Sequence, residues 1–127
     1  MTVADTDVLI DFLAGSDPAA GWVAIQLERG SLLTTGITRF ELLSGARTPH
    51  QENSIRPLLA AVPALALDDE AADKAAEVRR SLDHSGASIG MADSLIAGIV
   101  LVHNAVLLTR NRRHFERVPE LRLARRK

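Results

Sequence analysis

Short apolar runs alternate along this chain with longer segments of helical period, and that alternation restricts the fold more than any other feature. It is the signature of an α/β fold in which a mainly parallel sheet is covered by helices. Val3-Ala4 reads as a first short strand, Asp7 to Leu13 as a helix stopped by Gly15, and Pro18 to Arg29 as a second helix. Proline suits the first turn of that second helix and Gly30 its end. Leu32 to Thr35 makes the next strand, and a short helix carries Phe40, Glu41, Leu42 and Leu43 up to Gly45. Ile55, Leu58, Leu59 and Val62 then recur at helical spacing and form one core-facing stripe.

The second half repeats the pattern. Ala64 to Leu67 is a brief strand, and Asp68-Asp69-Glu70 places negative charge where a helix starts and its dipole favours it. Ala71, Ala75, Val78 and Leu82 give that helix its buried face. Ala92 to His103 is apolar almost all round, which predicts a helix packed deep against the sheet. Val106 to Leu108 is a strand, Arg112 to Phe115 a helical turn, and Leu121 to Leu123 an edge strand.

The 127 residues, 46% hydrophobic and 24% charged, suffice for one domain spanning 1–127 and are few for two. Aromatic residues make up only 3% and tyrosine is absent, so the core rests on Leu, Val, Ile and Ala. That scarcity disfavours binders of the RRM or OB type, which stack bases on aromatic side chains. The net charge of −1 conceals an asymmetry, because residues 110–127 carry eight bases against Glu116 and Glu120. Those bases are Arg110, Arg112, Arg113, Arg117, Arg122, Arg125, Arg126 and Lys127. Arginine's planar fork suits phosphate, although a GC-rich genome would give the same bias. No cysteine is present, which excludes disulfides and thiolate metal sites and agrees with a reducing compartment. The chain opens without a charged-then-apolar leader, and its longest uncharged run, Ser94 to Thr109, falls short of the roughly 20 apolar residues a membrane span needs. A soluble cytoplasmic protein is expected.

Three acids, Asp5, Glu41 and Asp93, stand where an apolar stretch stops or a helix starts, far apart in sequence. Ligands of open parallel α/β sheets collect at the carboxyl ends of the strands. Asp5 follows the first strand, and Asn111 lies just beyond the strand that ends at Leu108. Glu41 and Asp93 read as first-turn residues of helices that begin on the same side, so four elements converge on one edge. Gathered carboxylates raise each other's pKa unless a cation neutralises them. Oxygen donors without cysteine suit a hard cation such as Mg²⁺ or Mn²⁺, which can polarise a phosphoryl oxygen and activate a bound water. Phosphodiester hydrolysis is the reaction this chemistry serves best.

Four segments carry a resemblance that spans essentially the whole chain, in order. They are Asp5-Thr6-Asp7-Val8-Leu9-Ile10, Thr38-Arg39-Phe40-Glu41-Leu42-Leu43-Ser44-Gly45, Gly90-Met91-Ala92-Asp93-Ser94-Leu95-Ile96-Ala97, and Leu107 to Phe115. Together they resemble the successive motifs of PIN-domain nucleases of the VapC toxin type. The resemblance implies a three-layer α/β/α sandwich, commonly dimeric, and a Mg²⁺- or Mn²⁺-dependent ribonuclease that is the toxin of a toxin–antitoxin pair. It further implies that Asp5, Glu41 and Asp93 carry the metal, that RNA is the substrate, and that a VapB-type antitoxin is the protein partner. The family's fourth acid is often Asp at or near the position of Asn111, where this chain offers only a neutral oxygen. A second metal would then bind weakly, or Asn111 and Thr109 would position water.

Plainer readings stand beside these. Asp7 matches a family position that is commonly Asn or Ser, and an acid in a first helical turn is favourable without any function; it is an auxiliary candidate. Thr109 and Asn111 could simply cap the short helix that follows them. The histidines are too scattered for a zinc set, and only His114 falls near the inferred site. Arg39, Arg110, Arg112 and Arg113 could meet RNA phosphates or form an ordinary solvated surface. Asp5-Thr6-Asp7-Val8-Leu9 also resembles the D-x-D-x-V opening of Asp-nucleophile phosphatases, with Leu9 at the valine position, but no later Lys and acidic pair follow in the required order. A PIN-like binding module with impaired catalysis is the remaining alternative, and Asn111 is the residue that favours it.

Overall fold

The computed structural model describes residues 1–125; Arg126 and Lys127, at the end of the basic tail, lie outside the described residues. The elements are β1 (Thr2–Ala4), α1 (Thr6–Ala14), α2 (Ala19–Arg29), β2 (Leu32–Thr35), α3 (Gly36–Gly45), α4 (Pro49–Ala61) and β3 (Ala64–Leu65). They continue with α5 (Asp69–His84), α6 (Met91–Val102), β4 (Val106–Leu108), α7 (Arg112–Phe115) and β5 (Arg122–Leu123). The strands form one sheet in the order β3-β2-β1-β4-β5, every pair parallel.

The sheet divides the core in two because side chains alternate across a strand. On β1, Val3 enters one cluster and Ala4 the other; on its neighbour β4, Leu107 and Leu108 divide in the same way. Ala4 and Leu108 meet Val8, Leu9, Val23, Leu42, Ile55, Leu58 and Leu59 from α1 to α4. Val3 and Leu107 meet Val78, Leu82, Ile96, Val100 and Phe115 from α5 to α7. The result is a three-layer α/β/α sandwich with an all-parallel sheet. Both faces are covered, which is why the central strands read as continuous apolar runs and not as alternating ones.

The element boundaries follow local chemistry. Asp68 caps α5 by accepting the Ala71 N–H at 2.9 Å, which explains the acidic run read at that helix start. The stripe of α4 ends at Leu59, with buried Val62 standing as the residue that terminates the helix. β3 stops at Leu65, two residues earlier than expected, and Pro18 precedes α2 instead of opening its first turn. One difference matters for the site. β2 runs into α3 with no loop, and Thr35 caps that helix by accepting the Thr38 N–H at 3.1 Å. Glu41 therefore lies in the second turn of α3 and not the first, whereas Asp93 does lie in the first turn of α6. Among the described residues no single helix is long and apolar enough to cross a membrane.

The deepest helix, α6, is held against α5 by the absence of a side chain. A Cβ on Gly98 would stand 2.7 Å from the Ala71 carbonyl oxygen, the Ala75 Cβ and the Ala75 nitrogen. Two of those three atoms are backbone and cannot swing away. Gly98→Ala should therefore force the helices apart, lowering unfolding free energy by roughly 1–3 kcal/mol despite alanine's better helix propensity. Chemical denaturation measures this, and an unchanged or raised midpoint would show that α5 and α6 yield easily.

Candidate active site

The β1–β4 pairing carries the chain to the site. Beyond the last paired residues of β1 and β4, the Asp5 N–H still donates to the Leu108 carbonyl at 2.9 Å. The same residue caps α1, its Oδ1 accepting the Thr6 N–H at 2.8 Å, so strand and helix meet with no spacer. Its Oδ2 accepts from the buried Thr109 hydroxyl at 2.7 Å. Asp5 is only 6% exposed. Burial first, then the charge of Asp7, pushes its carboxyl from the ordinary 3.8 up to about 7, with Asp93 adding a smaller push and the Thr109 and Thr6 hydrogen bonds opposing.

Asp7 shares that space. Its Oδ2 accepts the Arg110 N–H at 3.1 Å and lies 3.4 Å from the Thr109 hydroxyl, while its Oδ1 is buried with no hydrogen-bond partner. Burial raises this carboxyl too, and the Arg110 N–H and guanidinium oppose the rise. Thr109 thus stands between two carboxylates, donating to Asp5 and accepting the Asn111 N–H at 3.0 Å. Reading the sequence placed Asp7 at the margin; the structure sets it beside Asp5.

The other two acids meet a hydroxyl and an imidazole. Glu41 Oε1 accepts from the Thr6 hydroxyl at 2.6 Å, and Thr6 lies 3.0 Å from the Thr38 hydroxyl, one helical turn before Glu41. Asp93 Oδ2 lies 3.3 Å from His114 Nδ1, which also stands 3.0 Å from the Asn111 amide nitrogen. Asn111 occupies the residue before α7 but makes no side-chain cap; its amide turns to His114 instead. Gly90, with φ of +87°, lets the chain turn into α6 and so aims Asp93. Thr6, Thr38 and His114 were not singled out as site residues from sequence. The available signal was position: Thr6 directly follows Asp5, Thr38 precedes Glu41 by three, and His114 follows Asn111 by three.

The donor set is carboxylate, hydroxyl and amide oxygen with one imidazole, which fits a hard divalent cation. An orphaned, buried Asp7 oxygen beside an Asp5 carboxyl pushed up to about 7 is the imbalance such a cation corrects. Among the described residues no three Asp, Glu or His side chains are gathered tightly enough to form a ligand set by themselves. Mg²⁺ does not demand one, since it keeps several waters and takes one or two carboxylates. Of the two lysines that a phosphatase reading would need to draw on, Lys74 pairs with Glu77 on α5 and Lys127 lies outside the described residues.

Four arginines of the basic C-terminal segment are engaged within the fold. Arg112 donates to the Ala124 carbonyl at 2.8 Å, Arg117 to the Ser88 carbonyl at 3.0 Å and Arg122 to the Asn104 carbonyl at 2.6 Å. Arg110 pairs with Asp11 on α1. Among the described residues near the site, Arg39 and exposed Arg113 make no ion pair or side-chain hydrogen bond.

Comparison with known proteins agrees with this geometry. Residues 2–121 match the family model of the PIN domain. Ribonuclease VapC19 of Mycobacterium tuberculosis is 31% identical over 122 residues, covering 95% of this chain and 97% of the relative. The tRNA(fMet)-specific endonuclease VapC of Shigella flexneri is 29% identical over 122 residues, with 93% and 92% covered. The solved structure of VapBC-1 from nontypeable Haemophilus influenzae superposes with a TM-score of 0.79 at 30% identity, covering 97% of this chain and 96% of that one. A parallel sandwich with its acids at the strand ends, matched along nearly its whole length, places this chain in the PIN-domain family, among its VapC members.

Proposed function

We propose that this chain is a divalent-metal-dependent ribonuclease that acts in the cytoplasm as the toxin of a toxin–antitoxin pair. The observation that carries the reading is the Asp5–Thr109–Asp7 cluster, two confined carboxylates around one hydroxyl with an unpartnered oxygen. Mg²⁺ or Mn²⁺ would be held by Asp5 and Asp93, with Glu41 and Asp7 completing the acidic surround, and would supply charge neutralisation at the scissile phosphate together with an activated water. The chain's own residues do the rest. Thr109 fixes the Asp5 carboxylate, Thr6 fixes Glu41, and the Leu108–Asp5 backbone bond fixes the distance between the two strand ends. Arg39 and Arg113 are the arginines free to meet RNA phosphates, so binding weakens with salt as those contacts are screened.

A binding module without catalysis is the one competing reading, favoured by the engaged amide of Asn111 and by the lack of a preformed three-acid set. RNA cleavage separates the two. Cleavage should require Mg²⁺ or Mn²⁺, stop on chelation, and fall at least about 100-fold in Asp5→Asn and Asp93→Asn, the scale expected when a group that stabilises the reacting charge is removed. Expression of the wild-type chain alone should arrest bacterial growth and the Asp5→Asn variant should not. Cleavage unaffected by chelator would refute the metal reading.

The same cluster makes a stability prediction of definite sign. The folded pKa of Asp5, about 7, lies above its ordinary 3.8, so the folded state binds the proton more tightly. Its contribution is most favourable below about pH 4 and is lost as pH rises toward 7, at about 1.4 kcal/mol per pH step. In metal-free protein at pH 8, Asp5→Asn should therefore unfold later than wild type, by roughly 1–3 kcal/mol, with the gap closing by pH 4. Added Mg²⁺ should narrow it at pH 8 by stabilising only the wild type. A variant less stable than wild type at pH 8 would contradict the burial of a costly charge.

The partner surface is an open groove of about 400 Å³ beside Glu41, lined by Ile10, Leu13, Leu42, Ala46 and Ile55. Ile10 is 50% exposed there. An antitoxin segment is the proposed occupant, with apolar side chains in the apolar groove and a basic side chain toward Glu41. Ile10→Asp should weaken antitoxin binding by about tenfold or more, a loss of ~1.4 kcal/mol, while RNA cleavage persists. Titration of the antitoxin by calorimetry measures this, and undiminished affinity would move the interface elsewhere.

A further inference from the structure

His114 lies on the short helix α7 with its side chain 41% exposed, yet its Nδ1 faces inward, 3.3 Å from Asp93 Oδ2 and 3.0 Å from the Asn111 amide nitrogen. A neutral ring nitrogen has one proton or one lone pair, never both. If Nδ1 bore the lone pair, it could accept from Asn111 but would turn that lone pair on the Asp93 carboxylate. If Nδ1 bears the proton, it donates to Asp93, and the Asn111 amide needs only a half-turn to present its oxygen to the same N–H. The second arrangement turns no lone pair on the carboxylate. The first leaves a carboxylate facing a lone pair.

We infer that His114 is a positioning residue that holds the Asp93 carboxylate through its Nδ1–H and links it to the amide of Asn111. This rests on the reading in which Asp93 holds the cation. The role is defined by which nitrogen is used. Ligating carboxylates are themselves oriented by hydrogen bonds, and loss of such a partner typically costs about 10–100-fold in metal affinity or activity. Asn111 alone could not do this work: a half-filled amide beside Asp93 supplies no fixed donor, whereas the imidazole on α7 is carried by a helix anchored through fully buried Phe115. The position of His114, one helical turn after Asn111, makes the two side chains neighbours.

Substitution can distinguish the two ring nitrogens, because an asparagine amide nitrogen falls near the place of Nδ1 and a glutamine amide nitrogen near that of Nε2. Calorimetric titration of Mn²⁺ should show about tenfold weaker binding in His114→Ala and His114→Gln, and binding within about threefold of wild type in His114→Asn. All three should keep wild-type thermal midpoints, since the ring is half exposed. The metal-free protein gives an independent readout: ¹⁵N shifts of the His114 ring at pH 9 should report the Nδ1–H tautomer, reverting to Nε2–H in Asp93→Ala. Unchanged Mn²⁺ affinity in His114→Ala, equal behaviour of the Asn and Gln variants, or an Nε2–H ring in the wild type would each overturn the inference. Asp93→Asn serves as the control for the underlying reading: if it binds Mn²⁺ as wild type does, the metal assignment itself fails, whereas weak binding in Asp93→Asn with normal binding in His114→Ala defeats the positioning role alone.

Discussion

The joint between β1 and β4 is the constraint on which the rest of the structure turns. Val3 and Ala4 pair with Leu107 and Leu108, and the Asp5 N–H extends the ladder by one more bond to the Leu108 carbonyl. That extra bond brings the residue after each strand into register, and the Thr109 hydroxyl meets the Asp5 carboxylate there. The same alternation that sends Val3 and Leu107 to one core and Ala4 and Leu108 to the other locks both strands between helical layers. A rigid parallel centre therefore delivers polar groups from positions 5 and 109 to hydrogen-bond contact, although 104 residues separate them in sequence.

Much of this was legible beforehand, and the reason is physical. Parallel strands buried on both faces are mostly apolar, buried Thr34 and Thr35 of β2 being exceptions, and the helices that cover them are amphipathic or, like α6, apolar nearly all round. Asp5 and Asp93 stood out because an acid at the end of a buried element needs a partner. What sequence could not supply was orientation. Glu41 was expected in a first turn, but the direct passage of β2 into α3 moves it a turn later, and its carboxylate is claimed by Thr6. Asp7 looked like an ordinary helix-start charge, and only the backbone of Arg110, brought back by β4, shows that it is enclosed.

The basic tail shows the limit of reading charge without geometry. A surplus of arginine near the inferred site invites an RNA-binding interpretation, yet Arg112, Arg117 and Arg122 each donate to a backbone carbonyl. Those carbonyls belong to Ala124, Ser88 and Asn104, which lie beside β5, ahead of α6 and at its end, respectively. An arginine that bridges chain segments in this way is doing what its rigid fork allows and a lysine's point charge does less well. Composition counts such residues with Arg39 and Arg113, from which they differ only in where the chain has put their partners.

The four acids of the site divide into two physical classes, and the division bears on how a cation would enter. Glu41 and Asp93 are held by side chains, Thr6 and His114, that carry no fixed negative charge, so their environment is tolerable without metal. Asp5 and Asp7 are pressed together under burial that raises both carboxyls, with one oxygen left unpartnered. The unfavourable energy of the gathered acids is therefore concentrated at one end of the site. A cation that binds there relieves more repulsion than one that binds at the other end, and it competes directly with the proton on Asp5. Asn111 lies on the relaxed side, where a fifth carboxylate would have crowded Asp93. Its neutrality takes charge from the end that can spare it and leaves the strained pair intact.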